Sequence, residues 1–467
     1  MEMREYLDTV SGQIRNKKAK QAVEEEMRRH IEDQAQALAQ SGMEPEEALS
    51  EAVRQMGNPV EVGIEMDRIH RPRNNWKLLG GVAVLSLLGL LVQYHCIYRF
   101  GPRELAFVRM GEEAFARQCV LRLMGLAVMT FLYLCDYTIF SRYGKLIGFV
   151  FLGAVALACG LDLIPVLNGG HSYIKTIMYL FIPIYGGILY SYRARAYRGI
   201  VCAVLWLAAA AYVAFYLIGG GIGITVNVIA VCSLMLAMAL FKNWYKVRHR
   251  FAPVLVIGGL WLVTCILTVM GMQEYQLMRL KVMLKPAYGQ AKGFQSAVTR
   301  EILGRLNLVG GMQTGAPGLE GTPMRLLPGA QYDYVILQAA STWGALAAVL
   351  IALLLALLLL YLFFMVKGQN NQLGQMIGYG SVLVLALETA GNLLYNMGFV
   401  LLSTAGLPFF SYGRCHTLAV YGLLGILLSI YRYRNLIWEK AENREDRDGG
   451  VLASLGRYRI RIERTDG

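Results

Sequence analysis

Apolar residues along this chain gather into long uncharged blocks rather than alternating between two faces. The blocks fall at 78–98, 120–140, 146–165, 174–190, 199–217, 222–241, 251–270, 344–366, 375–398 and 415–431. A helix needs roughly 20 apolar residues to cross about 30 Å of hydrocarbon, so the pattern predicts about ten membrane-spanning helices. One block has a marked start. Asp333 stands just before a run from Tyr334 to Val366 that contains no charged residue. At about 1.5 Å per residue a continuous helix of that length would be roughly 50 Å long, so its first turns are expected above the bilayer, with Asp333 at the interface.

Composition agrees with an all-α polytopic membrane protein. Of 467 residues, 56% are hydrophobic and 16% charged, the balance of a multispanning membrane protein. The charges that remain set an orientation. With the N-terminus cytoplasmic, the inner connections carry Arg71, Arg73 and Lys77, then Arg142 and Lys145, then Arg193, Arg195 and Arg198, then Lys242, Lys246, Arg248 and Arg250, and finally Arg432 and Arg434. The outer turns around Asn168 and Gly220 carry no Lys or Arg, whereas the outer loop from Arg99 to Arg117 breaks the pattern with four arginines. The balance predicts a cell-membrane protein with both termini inside. A net charge of +13 then reads as inner-leaflet anchoring rather than nucleic-acid binding.

Glu2, Arg4, Glu5 and Asp8 interrupt the N-terminus at once, so it reads as no cleavable signal, and the first membrane helix is expected to direct insertion. Most of the eight cysteines lie inside spans as small apolar fillers. Cys96 and Cys119 lie at the two ends of one outer loop, where an oxidising exterior would permit a disulfide, although spacing fixes no geometry.

Two soluble segments flank the membrane region of 76–434. In residues 1–75, Val23, Met27, Ile31, Ala35 and Leu38 recur at helical spacing up to Gly42. Pro45 then starts a second helix that Gly57 stops, and Asn58-Pro59 opens a third. A small helical bundle follows, a solvated cap or a docking module for a cytoplasmic protein. Residues 435–467 are charged and weakly apolar, and are expected to be a cytoplasmic tail without fixed structure.

Candidate chemistry concentrates in the long outer loop 271–333. Its Arg279, Lys281, Lys285, Lys292, Arg300, Arg305 and Arg325 would attract phosphate or pyrophosphate, or else lie among anionic headgroups. Asp333 is a base candidate, or simply the N-cap of the helix it precedes. Glu388 is an intramembrane acid with Asn392 one turn on; such groups line polar cavities or form structural hydrogen-bonded pairs. His171 reads as a polar loop residue.

The order of motifs is distinctive. Glu274-Tyr275-Gln276, Arg279, Pro286, Gly293-Phe294-Gln295-Ser296, a Gly-rich turn at 310–315, Asp333-Tyr334-Val335-Ile336, Asn396-Met397-Gly398 and Leu407-Pro408-Phe409-Phe410-Ser411-Tyr412-Gly413 follow one another as in the SEDS family of FtsW, RodA and SpoVE. The chain resembles that family over about residues 76–434, and Gly57-Asn58-Pro59-Val60-Glu61-Val62 resembles the helical prefix of some bacterial permeases. The resemblance implies a bacterial, Gram-positive cell-membrane glycosyltransferase of ten helices. It would polymerise lipid II at the outer face, in division, elongation or sporulation, beside a class B penicillin-binding protein. It also implies Asp333 as the catalytic base, and Arg279, Lys285, Gln331, Tyr332, Glu388, Asn396, Ser411 and Tyr412 as substrate-binding residues. No cofactor is called for, beyond a Mg or Mn ion that could bridge the pyrophosphate.

Departures from the family pattern leave other functions open. Ala340, Ser341 and Thr342 stand where the family has Gly-Glu-Glu, so two carboxylates are missing. Ile182-Pro183-Ile184-Tyr185 is the nearest remnant of Gln-Pro-Ser-Glu, Arg414 replaces a glycine, and Gln331 replaces a common histidine. A flippase for a polyprenyl-linked precursor would need a polar path, for which Asp136 and Glu388 are candidates. A non-catalytic regulator would need none.

Overall fold

The computed structural model describes residues 2–15, 17–71, 74–100, 105–161, 174–218, 222–247, most of 249–262, 294–312, 327, 333–369, 371–399, 406–434, 451–455 and 458–461. The chain separates into two units, one of Met1–Pro72 with Asn435–Gly467 and one of Arg73–Arg434.

The first unit contains α1 (Met3–Gln13), α2 (Lys17–Gln40), α3 (Pro45–Gln55) and α4 (Pro59–His70). Tyr6, Leu7 and Val10 of α1 pack with Val23, Met27 and Ile31 of α2 and with Ala52 and Val53 of α3. The stops read from sequence are backbone events: Gly42 and Gly57 take φ of +101° and +83°, which a glycine adopts without a Cβ clash. Asn58 caps α4 by accepting from the Val60 N–H at 3.0 Å, with Pro59 in the first helical position. The α1 helix itself was not read from the periodicity. The C-terminal tail also departs from expectation, since β1 (Val451–Leu455) and β2 (Tyr458–Arg461) pair antiparallel with Leu455 opposite Tyr458. Tyr458 and Ile460 supply the aromatic and β-branched residues that suit a strand.

The second unit is an all-α membrane bundle. Its elements are α5 (Trp76–Phe100), α6 (Leu105–Leu134), α7 (Ile139–Gly160), a 3-10 turn (Lys175–Leu180) leading into α8 (Phe181–Ser191), α9 (Ala196–Tyr212) ending in a π-turn (Val213–Leu217), α10 (Ile222–Phe241), α11 (Phe294–Gly304), α12 (Val335–Trp343), α13 (Ala345–Lys367), α14 (Gln372–Asn396) and α15 (Arg414–Arg432). Eight helices among the described residues are long and apolar enough to cross a membrane. Their outer faces expose Leu87, Phe131, Phe149, Leu205 and Phe364, as a helix facing lipid would.

Two expectations turn out differently. The block 174–190 becomes the 3-10 turn and the short α8, buried from Phe181 to Leu189 and packed on α7 and α14. Short side chains let the backbones meet there: a Cβ on Gly187 would lie 2.3 Å from the Phe140 carbonyl oxygen. The expected helix at 251–270 is helical at 251, 253–255, 257–259 and 261–262, and its other positions lie outside the described residues. The single long helix after Asp333 is two helices. Gly344, with φ +102° and ψ 164°, ends α12 and starts α13 in a new direction. So α12 is not a column standing in water; Val335 to Thr342 are all buried. Cys119 carries a free thiol, so the disulfide considered for it is not formed.

Candidate active site

The break at Gly344 produces the site. Residues 307–312 run beside it: the Gly310 N–H donates to Trp343 O, Met312 N–H to Ser341 O, Ala345 N–H to Asn307 O and Leu346 N–H to Leu308 O, all at 2.9–3.1 Å. This short pairing satisfies carbonyls at the end of α12 and amides at the start of α13, which a helix break would otherwise leave bare. Below it, Val298 and Ile302 of α11 pack with Met312, Tyr334, Leu337 and Tyr395 as a small apolar cluster. The Tyr334 and Tyr395 rings lie 4.7 Å apart. On α5, the ring of His95 lies 4.8 Å from Trp343.

Asp333 is half-buried where this assembly opens. The N-cap position of α12 belongs to Tyr334, which makes no side-chain cap bond. What fixes the backbone of Asp333 comes from α14: Asn392 and Asn396 both donate their side-chain amides to the Asp333 carbonyl, at 3.3 and 3.0 Å. Asn396 Oδ1 meanwhile accepts the Leu337 N–H at 3.1 Å, satisfying one of the free amides of the first turn of α12. The same Asn396 amide also donates to Asn392.

Glu388, Asn392 and Asn396 follow at i, i+4 and i+8 and so share one face of α14. Glu388 is fully buried, and among the described residues neither carboxylate oxygen meets a partner in hydrogen-bond geometry, Asn392 included. Its neighbour is His416 in the first turn of α15, whose Nε2 lies 3.5 Å from Glu388 Oε1 without hydrogen-bond geometry. His416 went unnoticed in the sequence, although an ionisable residue inside a membrane span is the signal that should have flagged it.

The Leu407–Gly413 motif forms the other wall. Ser411 Oγ accepts the Leu407 N–H at 2.7 Å and so closes a turn. Tyr412 beside it is half-buried. Phe409 takes φ +66°, and its carbonyl accepts from the Arg122 guanidinium. Arg122 also donates to Ser86 O at 2.5 Å, Gln93 donates to Phe410 O at 2.6 Å, and Gln118 to Thr417 Oγ1 at 3.1 Å. The fit is close, since a Cβ on Gly89 would lie 2.1 Å from Phe409 O. Gln118 and Arg122 stand four apart on α6 and are buried. A polar pair at that spacing within an apolar block was a legible signal that the sequence reading passed over.

Other expected site residues fall elsewhere. Arg279, Lys285, Gln331, Tyr332 and His171 lie outside the described residues. Asp136 belongs to the turn between α6 and α7, where its carboxylate accepts the Thr138 N–H at 2.9 Å. Ser341 and Thr342, at the positions of the missing carboxylates, are buried in α12, with Ser341 Oγ donating to Gln338 O at 2.9 Å. A bridging Mg or Mn ion would need several hard oxygen ligands, and among the described residues no three acidic, His or Cys side chains converge.

Comparison with known proteins follows the same residues. No curated protein matches the chain in sequence. Among solved structures, a chain from a study of structural coordination of polymerization and crosslinking by a peptidoglycan synthase complex is similar at 18% identity, with TM-score 0.57 over 77% of this chain and 98% of that one. The rod shape determining protein RodA of Thermus thermophilus is similar at 17% identity and TM-score 0.45, covering 77% of this chain and 97% of RodA. The first of these likenesses supports the fold. The model of the cell cycle protein family FtsW/RodA/SpoVE matches residues 76–436, from the start of α5 to just past the end of α15, and this chain belongs to that family.

Proposed function

We propose that this protein is a glycosyltransferase that extends a glycan from lipid II at the outer face of a bacterial cell membrane, with Asp333 as general base. The observation that carries the reading is the hold on Asp333. Two asparagines about 60 positions away hold the start of α12: both donate to the Asp333 carbonyl, and Asn396 also accepts the Leu337 N–H. Chain extension needs a sugar hydroxyl to attack an anomeric carbon as undecaprenyl pyrophosphate leaves. A carboxylate held at the mouth of a buried helix can take the hydroxyl proton as the new glycosidic bond forms, and Arg279, Lys285 and their neighbours would meet the departing pyrophosphate. Glu388 lies deeper along the same face of α14, with His416 of α15 beside it, and the two would form the floor of the cavity that receives the substrate. The likeness to a chain of a peptidoglycan synthase complex supports a class B penicillin-binding protein as partner.

One observation favours a second reading. Ser341 and Thr342 hold buried positions without charge, so the carboxylates usual in the family are absent, and a non-catalytic regulator remains the competing assignment. Asp333→Asn separates the two. With purified protein and labelled lipid II, with and without candidate partners, wild type should form glycan chains and the Asn variant should fall a hundredfold or more while staying inserted. Equal rates would remove Asp333 as base, and an inactive wild type with every partner would favour the regulator.

A further inference from the structure

At the end of the bundle away from Asp333 lies an open apolar groove of about 780 Å³ that the proposed reaction does not use. Leu234 and Met238 of α10, Leu360 and Phe363 of α13, and Tyr379 and Ala386 of α14 form its walls. Leu234, Leu360 and Phe363 remain exposed, so the groove opens sideways into the hydrocarbon. The volume is that of a ligand pocket, for which about 300–1,000 Å³ is usual.

Its length and its mouth identify the occupant. The lining on α13 and α14 covers seven helical steps each, about 10 Å at 1.5 Å per residue, which fits within one leaflet of about 15 Å and is far short of a spanning helix. Leu234, Met238 and Lys242 stand at i, i+4 and i+8, so the lysine continues the groove wall to the membrane surface. Its ammonium donates to Gln375 Oε1 at 2.5 Å and lies 5.1 Å from the Trp244 ring and 5.8 Å from that of Tyr379, a groove residue. Its neighbours are an amide and two rings rather than a carboxylate, so a cation is presented to the headgroup layer directly above a chain-sized apolar slot.

We propose that this groove binds one anionic phospholipid from the leaflet at that end, its acyl chain against α13 and α14 and its phosphate on Lys242 and the Gln375 amide. The full-length protein, exchanged into nanodiscs of equal phosphatidylglycerol and phosphatidylcholine with identical chains, would be released for native mass spectrometry. Wild type should retain one phosphatidylglycerol with roughly fivefold preference, the factor expected of one basic group at an anionic surface. Lys242→Gln should reduce the preference to parity and Lys242→Arg should keep it; Ala386→Trp, which fills the slot, should lose both lipids. Equal retention of the two lipids by wild type overturns the proposal, as does an unchanged preference in Lys242→Gln or a single-span polypeptide found in place of lipid. Thermal melting confirms that each variant is folded, and if Ala386→Trp is not, the Gln and Arg pair decides alone.

Discussion

Asn396 uses both ends of its amide on the chain around Asp333, accepting from Leu337 and donating to the Asp333 carbonyl. Asn396→Leu would leave a buried N–H unpartnered and Asp333 held by Asn392 alone, a cost of about 1–3 kcal/mol, so the melting temperature should fall by several degrees. Asn396→Asp keeps the acceptor for Leu337 and loses the donors, and should fall between Leu and wild type. If both variants melt as wild type does, the asparagine hold is not what positions Asp333. The motif around Asn396 was visible in the sequence, but its partner was not, because the two lie 59–63 positions apart and hydrogen-bond geometry leaves no mark on local periodicity. Arg122 illustrates the same limit. A buried cation whose terminal nitrogens donate to two carbonyls, Ser86 O and Phe409 O, has no complementary charge for a sequence reading to find.

At the scale of elements, the decisive residue is Gly344. Thirty-three uncharged residues predict a single helix on apolar content alone, and the one glycine near the tenth position reads as a tolerated interruption. In the folded chain that glycine adopts a backbone conformation open almost only to glycine, and a Cβ would lie 2.6 Å from Leu308 O and 2.7 Å from Val309 Cα. Gly344→Ala should therefore cost at least about 1–3 kcal/mol from backbone strain, with a further loss from the clash with the 307–312 segment. Amide exchange at Gly310 and Met312 should accelerate in the variant, because their bonds to Trp343 and Ser341 depend on the break. Unchanged exchange there would mean that the segment is held by other contacts. The buried α8 is the reverse case, a stretch apolar enough to span but placed at the centre of the bundle, where close backbone approach rather than hydropathy decided its length.

For the whole molecule, the charge asymmetry between short loops predicts that residues 1–72 and 435–467 are cytoplasmic and that 271–333 face outside. In a cysteine-free background, a membrane-impermeant maleimide added to intact cells should label Thr314→Cys and leave Ser50→Cys unlabelled until lysis; the opposite pattern would reverse the orientation. The amino-acid sequence by itself determined that this chain is a helical, many-span membrane protein of the FtsW/RodA/SpoVE family, because apolar content per 20 residues and a row of short motifs are local properties. Only the tertiary structure decided where the helix after Asp333 breaks, that His416 stands beside Glu388, that Arg122 holds the Phe409 turn, and which asparagines grip Asp333. Each of these rests on backbone approach or on hydrogen bonds and ion contacts between residues far apart in the chain, and such pairings exist only once the helices have packed.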